Sequence, residues 1–231
     1  MDLTTFAMEA VTDFRTVGAV APSSRYLTQA MLRPLPLASA RIVVEVGPGT
    51  GVMTQALLNR MPADATLLAF EINSRFSRYL KLNVADPRLE VINASAEMLR
   101  KEVRRRGYER VDAVVSSLAL GLMTDWQRRA FLNELGSLLG EAGVFTQYQY
   151  FHGLQVRNGQ VGRFNLMLLL RRYFRSVQRS IIWRNLPPAF VFECREPLCA
   201  ETSHSLYTSI DSKYPGNLLA PGLTRNRQEK F

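Results

Sequence analysis

The sequence predicts an α/β fold with a seven-stranded, mostly parallel sheet and helices on both of its faces. Two observations carry this prediction. Short apolar segments alternate with amphipathic helical segments between residues 41 and 195, and such alternation is typical of parallel strands joined by right-handed crossovers. The last two strand segments are separated only by the tripeptide at residues 186–188. This is too short for a crossover helix, so the pair is expected to be antiparallel.

The individual elements follow from the apolar patterns in order along the chain. Apolar residues three and four positions apart predict an amphipathic helix at residues 3–14, and RPLPL at residues 33–37 separates it from the core. Strands are predicted at residues 41–46, 66–71, 88–93, 111–117, 143–151, 180–185 and 189–195, and helices at residues 51–60, from about 74, and at 97–106, 125–139 and 163–174. We predict three parts: an N-terminal helix and lid segment at 1–36, the core at 37–196, and a polar, poorly ordered tail at 197–231.

Composition and charge narrow the class of protein. Hydrophobic residues make up 47% of the chain, which indicates a globular protein. No apolar run approaches the roughly 20 residues that span a bilayer, and the acidic N-terminus is unlike a secretory signal. Cys194 and Cys199 have neither disulfide-framework nor metal-site spacing, so a reducing cytoplasm and no metal are expected. The net charge is +9, and only four of the 29 basic residues are lysines, which favours a phosphate-bearing partner, nucleic acid or lipid headgroup.

The segment VVEVGPGTGVMT at residues 43–54 has the pattern of a strand, a glycine turn and a helix. Glu45 is followed by Gly47, Gly49 and Gly51, which let the backbone turn sharply and approach a ligand. A dinucleotide site would have G-x-G-x-x-G, with the pyrophosphate at the helix N-terminus. A carboxylate at this point would repel pyrophosphate, but it suits a ligand with an ammonium or sulfonium centre. S-adenosylmethionine is such a ligand.

Acidic and polar residues end the next strands as well. Glu71 lies about 20 residues after the last glycine, where a carboxylate can accept hydrogen bonds from both hydroxyls of a ribose. With the antiparallel end of the sheet, these features resemble the Rossmann-like class I S-adenosylmethionine-dependent methyltransferases. The resemblance implies that Ser95, or Asn93 in its place, faces the adenine; a nucleotide-sugar or NAD fold is the alternative. The residues assigned to the cofactor are Glu45, Gly47, Gly49, Gly51, Glu71, Ile72, Ala94, Ser95, Ala96 and Ser116.

Four further segments resemble one family, the bacterial phospholipid N-methyltransferases, which include the ornithine-lipid N-methyltransferases. They are VGAVAPSSR at residues 17–25, VSSLALGLM at 115–123, FTQYQY at 145–150 and IWRNLPPAFVF at 182–192. The first and the last segments are the most specific. The chain departs from the family at Ala119, where proline is usual.

This resemblance implies a substrate side of the site. The segment before the first strand can fold over the open edge of the sheet as a lid, with Ser23 or Ser24 capping a helix that begins near Tyr26. Arg25 could meet a phosphate or a carboxylate, and Arg184 a lipid phosphate. Aromatic faces stabilise the cationic product of amine methylation, while His152 either accepts a proton or simply caps the strand. The catalytic candidates are Tyr26, Tyr148, Tyr150 and His152, and the substrate-binding candidates are Gly18, Ser23, Ser24, Arg25, Trp183, Arg184, Asn185 and Pro187.

Taken together, these assignments predict an N-methyltransferase that converts phosphatidylethanolamine towards phosphatidylcholine. Members of the family associate reversibly with the inner face of the cell membrane, so the N-terminal helix is expected to dock there. Anionic and zwitterionic lipids are the expected partners. Neither a metal nor an obligate protein partner is expected. The alternatives are an ornithine-lipid N-methyltransferase, an RNA methyltransferase suggested by the positive charge, and a non-catalytic lipid- or cofactor-binding module.

Overall fold

The computed structural model describes residues 24–151, 154–157 and 160–198. Its helices are α1 (Arg25–Leu32), α2 (Val52–Leu58), α3 (Ser74–Asn83), α4 (Leu99–Arg105), α5 (Asp125–Leu138) and α6 (Leu166–Leu170), with 3₁₀ turns at Ala96–Met98 and Leu120–Leu122. Its strands are β1 (Ile42–Val46), β2 (Thr66–Phe70), β3 (Leu89–Ile92), β4 (Val111–Ser116), β5 (Leu139–Tyr150), β6 (Leu154–Arg157), β7 (Gln160–Arg163), β8 (Phe174–Ile182) and β9 (Ala189–Pro197). In this part of the chain, no helix is both long and apolar enough to cross a membrane.

Seven of the described strands form one sheet in the order β3-β2-β1-β4-β5-β9-β8. The five strands from β3 to β5 are parallel, and β9 lies antiparallel between β5 and β8. The predicted α/β fold with an antiparallel terminal hairpin is therefore confirmed. β6 and β7 form a separate antiparallel pair.

Two apolar clusters cover the two faces of the sheet. Successive strand residues point to opposite faces, so Val44 packs in the cluster with Phe131 of α5, and Val43 packs in the cluster with Leu57 of α2. The second cluster also contains Leu27 of α1. The helix that follows the predicted lid segment is thus packed against the sheet.

The prediction was wrong between residues 163 and 174, where one long helix was expected. Helix α6 has only five residues, and strand β8 begins at Phe174. The Phe174 ring stacks on Phe145 of β5 at a centroid distance of 5.7 Å, so burial and pairing with β9 override the local helical pattern. The β6–β7 hairpin was not predicted either, although Asn-Gly at positions 158–159 is a strong hairpin signal.

The C-terminal ends of β1 to β5 meet at one edge of the sheet, which we call the carboxyl edge. Because β5 and β8 are both antiparallel to β9, β8 runs in the same direction as β5 and ends at this edge too. The turn at residues 183–188 between β8 and β9 therefore lies at the carboxyl edge. The candidate residues from the glycine turn and from the R-N-L-P-P-A segment are brought to the same side of the molecule.

Helix α1 is fixed at both ends by the terminal strands. The Ser24 backbone N–H donates to Oδ1 of Asn185 at 3.2 Å, and beyond the helix Arg195 of β9 donates to the Pro34 carbonyl at 3.1 Å. The Ser24 hydroxyl accepts a hydrogen bond from the Leu27 N–H at 3.3 Å, which confirms that Ser24 caps the helix. The first described residue, Ser24, therefore lies at the carboxyl edge.

Candidate active site

Three glycines form the turn between β1 and α2. Gly47, Gly49 and Gly51 have φ angles of +75°, +56° and +87°, which favour glycine because a Cβ is strained there. A Cβ on Gly51 would lie 2.6 Å from Cδ2 of Leu80, whereas a Cβ on Gly49 would have no neighbour within 4 Å. The turn is packed against α3 at Gly51 and is open to a ligand at Gly49.

Glu45 is fully buried near the end of β1. One of its carboxylate oxygens accepts a hydrogen bond from Oγ1 of Thr54 at 2.7 Å, and the other has no hydrogen-bond partner among the described residues. Burial raises the pKa of Glu45 to about 8, although the Thr54 hydrogen bond opposes this shift. A buried carboxylate with an unpaired oxygen is stabilised in its charged form by an adjacent cation, so the environment suits a cationic ligand group.

Glu71 follows β2 and connects two loops of the carboxyl edge. Its carboxylate accepts hydrogen bonds from the Gly49 N–H at 3.1 Å and from the Asn73 N–H at 2.8 Å. Burial raises the pKa of Glu71, and these backbone hydrogen bonds oppose the shift. Asn93, at the end of β3, donates from Nδ2 to the carbonyls of Glu71 and Ile72 at 2.7 and 3.1 Å. Its amide N–H groups thus hold the β2 loop, while half-exposed Ile72 borders it.

The ends of β3 and β4 provide the remaining residues assigned to the cofactor. Ser95 lies between Ala94 and Ala96, and its hydroxyl caps the 3₁₀ turn by accepting from the Glu97 N–H at 3.4 Å. The Ser116 hydroxyl, which is buried, accepts from the Leu118 N–H at 3.2 Å. The structure therefore brings all ten predicted cofactor residues to the carboxyl ends of β1 to β4. The residues themselves are Glu45, Gly47, Gly49, Gly51, Glu71, Ile72, Ala94, Ser95, Ala96 and Ser116.

Two further residues shape this edge and were not predicted. Gln147 of β5 is buried and donates from Nε2 to the Leu118 carbonyl at 2.9 Å, while its Oε1 has no partner within the described part of the chain. Arg128 of α5 is also buried and donates to the carbonyls of Leu120 and Met123 at 2.9 and 2.6 Å. Together they fix the loop after β4. A glutamine inside an apolar strand was a signal for the first of them.

Tyr148 and Tyr150 lie side by side near the end of β5, as the strand alternation predicts. Their ring centroids are 5.4 Å apart and their planes are inclined by 70°. Both pack beside the cluster that contains α1. Burial raises the pKa of Tyr150, and a hydrogen bond with Tyr148 opposes the shift. Tyr150 is therefore a neutral phenol at physiological pH.

Tyr26, at the start of α1, lies next to two arginines, Arg25 in the same helix and Arg184 in the turn between β8 and β9. Nη2 of Arg25 donates to the Tyr26 hydroxyl at 2.9 Å, and the guanidinium carbons of Arg25 and Arg184 lie 4.9 and 5.4 Å from the ring centroid. The hydrogen bond from Arg25 lowers the pKa of Tyr26. A third cation over this ring would be repelled, so the neighbourhood disfavours the ammonium-stabilising role predicted for Tyr26. It favours an anion-binding cluster formed by Arg25, Tyr26 and Arg184.

The other predicted substrate residues have different environments. Asn185 is buried, with its amide donating to the Pro187 carbonyl at 2.7 Å and its oxygen accepting from Ser24, so it fixes the turn to α1. Trp183 is exposed and contacts Phe151, at 5.2 Å between ring centroids. The candidates Gly18, Ser23 and His152, the amphipathic helix at 3–14 and all but the first two residues of the tail at 197–231 lie outside the described residues.

The comparisons with known proteins agree with this geometry. Residues 43–143 match the family model described as a methyltransferase domain. The fold is similar to the solved structure of 1,6-didemethyltoxoflavin-N1-methyltransferase from Burkholderia thailandensis with bound S-adenosylhomocysteine, with a TM-score of 0.62 and 17% identity, covering 84% of this chain and 87% of that one. The chain contains a methyltransferase domain in a Rossmann-like fold, and these findings support an S-adenosylmethionine-dependent methyltransferase.

Two further relatives bear on this methyltransferase. It is 29% identical over 180 residues to a protein named ornithine lipid N-methyltransferase from Singulisphaera acidiphila, which covers 78% of this chain and 88% of the relative. Its fold is also similar to the structure of precorrin-6y C5,15-methyltransferase from Geobacter metallireducens, with a TM-score of 0.54 and 13% identity, covering 75% of this chain and 89% of that one. The structural similarities show the fold alone.

The residues of the methyltransferase fit its cofactor. The unpaired oxygen of Glu45 suits a cationic group, the open side of Gly49 leaves room for a ligand, and Glu71 has acceptor capacity left for hydroxyl donors. S-adenosylmethionine carries an ammonium, a sulfonium and a ribose with two free hydroxyls. Within the described residues, no group of three or more acidic, histidine or cysteine side chains is placed to hold a metal.

Gly49→Ala is expected to weaken S-adenosylmethionine binding at least about tenfold, the equivalent of about 1.4 kcal/mol. The substitution strains a residue at φ +56° and puts a methyl group into the open side of the turn. Gly107→Ala is the matched control, because Gly107 also has a positive φ, of +83°, and open space around it, but it follows α4 at the opposite edge of the sheet. Calorimetric titration and thermal unfolding should show a similar loss of stability in both variants and a loss of affinity only in the first. Equal affinities would contradict the assignment.

Proposed function

We propose that this methyltransferase methylates the headgroup amine of a membrane aminolipid, with phosphatidylethanolamine as its substrate and methylated forms up to phosphatidylcholine as its products. The observation that carries the proposal is the similarity to the ornithine lipid N-methyltransferase, which extends over 88% of that protein at 29% identity. Because the match extends over most of both chains, it supports an aminolipid as the substrate class.

The anionic part of such a headgroup has a suitable binding cluster. Phosphatidylethanolamine carries a phosphate, and ornithine lipid a carboxylate, a few bonds away from a primary amine. Arg25 and Arg184 present two exposed guanidinium groups at the carboxyl edge, with Tyr26 between them. A guanidinium group can donate two parallel hydrogen bonds to two oxygens of one phosphate or carboxylate. We therefore assign the headgroup anion to the cluster of Arg25, Tyr26 and Arg184.

The amine is assigned to the pair of tyrosines on β5. When bound, S-adenosylmethionine supplies the methyl group. The lone pair of the amine nitrogen forms the new N–C bond while the electrons of the S–C bond return to sulfur, so the amine must react unprotonated and the product passes a proton to water. Tyr150 stays protonated because its burial raises its pKa. The hydroxyls of Tyr148 and Tyr150 would orient the amine, and their rings would stabilise the methylated ammonium.

The proposal is tested by incubating the purified protein with labelled S-adenosylmethionine and vesicles that contain phosphatidylethanolamine, ornithine lipid or neither, followed by separation of the lipids. Label in methylated phosphatidylethanolamines is the expected result. Label in ornithine lipid alone would keep the reaction and replace the substrate, which is the second candidate because of the relative's name. Label in neither lipid would overturn the proposal, and transfer to RNA with a steep salt dependence would then be tested.

Tyr150→Phe is expected to lower the turnover of the lipid substrate about tenfold while leaving the affinity for S-adenosylmethionine unchanged, since one hydrogen bond that orients the amine corresponds to about 1.4 kcal/mol. Tyr79→Phe is the matched control, because Tyr79 is exposed on α3. Steady-state rates and calorimetric titration distinguish the two variants. An unchanged turnover of Tyr150→Phe would exclude this hydroxyl from the site.

The proposal includes the cellular setting of the reaction. A substrate embedded in a bilayer requires the enzyme to reach the membrane surface, so we propose reversible association with the cytoplasmic face and with anionic and zwitterionic lipids. It also includes the lid: Ser24 lies at the carboxyl edge, fixed to Asn185, and we propose that the segment before it covers the site.

A further inference from the structure

An exposed apolar tip stands out at the turn between β8 and β9. Trp183 is 68% exposed and Leu186 is 84% exposed. Between positions 177 and 192 the sequence contains two arginines, at 179 and 184, and no aspartate or glutamate. Ile181, which is 41% exposed, lies near the end of β8, next to this turn. Exposed apolar side chains grouped in one place often mark a site of interaction with a protein or a membrane. An aromatic and basic surface without acidic residues points to an anionic partner with an apolar layer.

The tip is held in place by an aromatic stack. The ring of Trp183 meets Phe151 edge to face at 5.2 Å, and Phe151 stacks on Phe190 at 4.3 Å. Phe190 in turn packs beside Phe192 of the core, at 6.3 Å. The guanidinium of Arg179 lies 4.6 Å from the Phe190 ring. Trp183 therefore extends a stack that starts in the core, which keeps its exposed ring in a defined place.

The position of the tip matches that of the proposed substrate site. Arg184 adjoins Trp183 and belongs to the cluster with Arg25 and Tyr26, and the turn is fixed to the start of α1 through Asn185. A surface that contacts the bilayer at this point would bring a lipid headgroup towards the cofactor without removing the lipid from the membrane. The membrane-contacting residues and the proposed headgroup site would then share the turn at residues 183–188.

We propose that Trp183 and Leu186 insert into the interfacial layer of an anionic lipid bilayer, with Arg179, Arg184 and Arg25 against the lipid phosphates. Tryptophan is enriched at the membrane interface, and basic residues near the surface add electrostatic attraction. We name the five residues the docking tip. This inference rests on the proposed function, because it assigns the membrane contact of the same enzyme to the described part of the chain.

Tryptophan fluorescence tests insertion directly. The chain has two tryptophans, so Trp126→Phe leaves Trp183 as the single reporter. Vesicles of phosphatidylcholine with phosphatidylglycerol are expected to shift its emission to shorter wavelength, and bromine-labelled acyl chains near the interface are expected to quench it. Phosphatidylcholine vesicles alone should have a weaker effect. An emission that is neither shifted nor quenched by the anionic vesicles would overturn the proposal.

Two matched double variants show whether vesicle binding depends on the docking tip or only on the overall charge and hydrophobicity of the protein. Arg179→Glu with Leu186→Ser is expected to weaken vesicle binding at least about tenfold. Arg60→Glu with Leu82→Ser makes the same chemical changes at exposed positions. Arg60 lies just after α2 and Leu82 near the end of α3, so both are at the edge of the sheet opposite the tip. Co-sedimentation with the same vesicles should show little change for this control. Equal losses in the two proteins would contradict a defined docking surface.

A soluble substrate distinguishes failure of docking from failure of the proposed function. The docking-tip variant should lose turnover on vesicles and keep it on a short-chain aminolipid dissolved as monomers, because neither Arg179 nor Leu186 belongs to the assigned site. Loss on both substrates would contradict a separate docking role. If the unmodified enzyme methylates neither form of lipid, the proposed function fails, whereas quenching of Trp183 by vesicles would still support the membrane contact.

Discussion

Glu45→Gln is expected to weaken S-adenosylmethionine binding about 10- to 100-fold and, at pH 8, to stabilise the cofactor-free protein. Both effects have the same origin. The carboxylate of Glu45 is buried with one unpaired oxygen, so its charge is costly until a cationic ligand group arrives. Glutamine keeps an acceptor for the Thr54 hydroxyl and removes the charge. It therefore removes both the cost in the cofactor-free protein and the attraction for the cofactor.

The stability effect has a definite pH window. The pKa of Glu45 is about 8 in the folded protein and close to 4.3 in an unfolded chain. Between these values the folded state binds more protons than the unfolded state, so the stability falls as the pH rises from about 4 to about 8. The loss is about 3 to 5 kcal/mol at the upper end. In Glu45→Gln this part of the pH dependence is expected to disappear.

Denaturant unfolding at pH 5 and pH 8 measures the effect on stability. Calorimetric titration in buffers of different ionisation enthalpy measures cofactor binding and the protons that it releases. At pH 7 the wild-type protein should release a proton when the cofactor binds, and Glu45→Gln should not. Glu141→Gln serves as the control, because Glu141 is exposed. Proton release that persists in Glu45→Gln would assign the titration to another group.

Arg128→Met is expected to cost about 2 to 4 kcal/mol of stability and to reduce turnover strongly. The Arg128 side chain is only 4% exposed, and its guanidinium donates to the Leu120 and Met123 carbonyls, pairs with Asp125 and lies over the Phe164 ring. Methionine would fill part of the space but would leave both carbonyls without this donor. The loop after β4, which borders the glycine turn, would then lose its support.

Arg110→Met is the matched control for this substitution. Arg110 donates to the carbonyls of Ser137 and Leu139 at the other end of α5, at 3.4 and 3.1 Å, but it is exposed. Water can replace those bonds, so the expected loss of stability is below about 1 kcal/mol. Thermal unfolding and turnover of both variants test the comparison. Similar losses in the two proteins would show that burial of Arg128 is not the cause.

The parallel part of the fold could be predicted because its strands are mostly apolar and the first four of them are each followed by a helical segment. The error at residues 163–174 arose where local pattern and long-range pairing disagree. A run of leucines fits a helix, but Phe174 belongs to β8 because it stacks on Phe145 and pairs with β9. Both partners lie outside the segment 163–174, so its local pattern could not give the boundary.

The cofactor side could be predicted for a related reason. Glu45 and the glycines lie in one continuous segment, and Glu71 follows at a fixed distance along the chain, so the spacing itself carries the information. The roles of Gln147 and Asn93 depend on hydrogen bonds to residues far away in sequence. The same holds for Tyr26, whose ring faces Arg184 from the opposite end of the described chain. Contacts of this kind become visible only in the folded structure.

The two anchors of α1 also determine when the protein can complete its fold during synthesis. The bonds from Ser24 to Asn185 and from Arg195 to Pro34 each join residues 161 positions apart. At about 5 to 20 residues per second, the ribosome needs roughly 10 to 30 s to reach the second partner. Throughout that interval, the apolar side of α1 with Leu27, Met31 and Leu32 has no β9 to pack against. The first helix of the described chain to be synthesised is thus among the last to reach its final contacts.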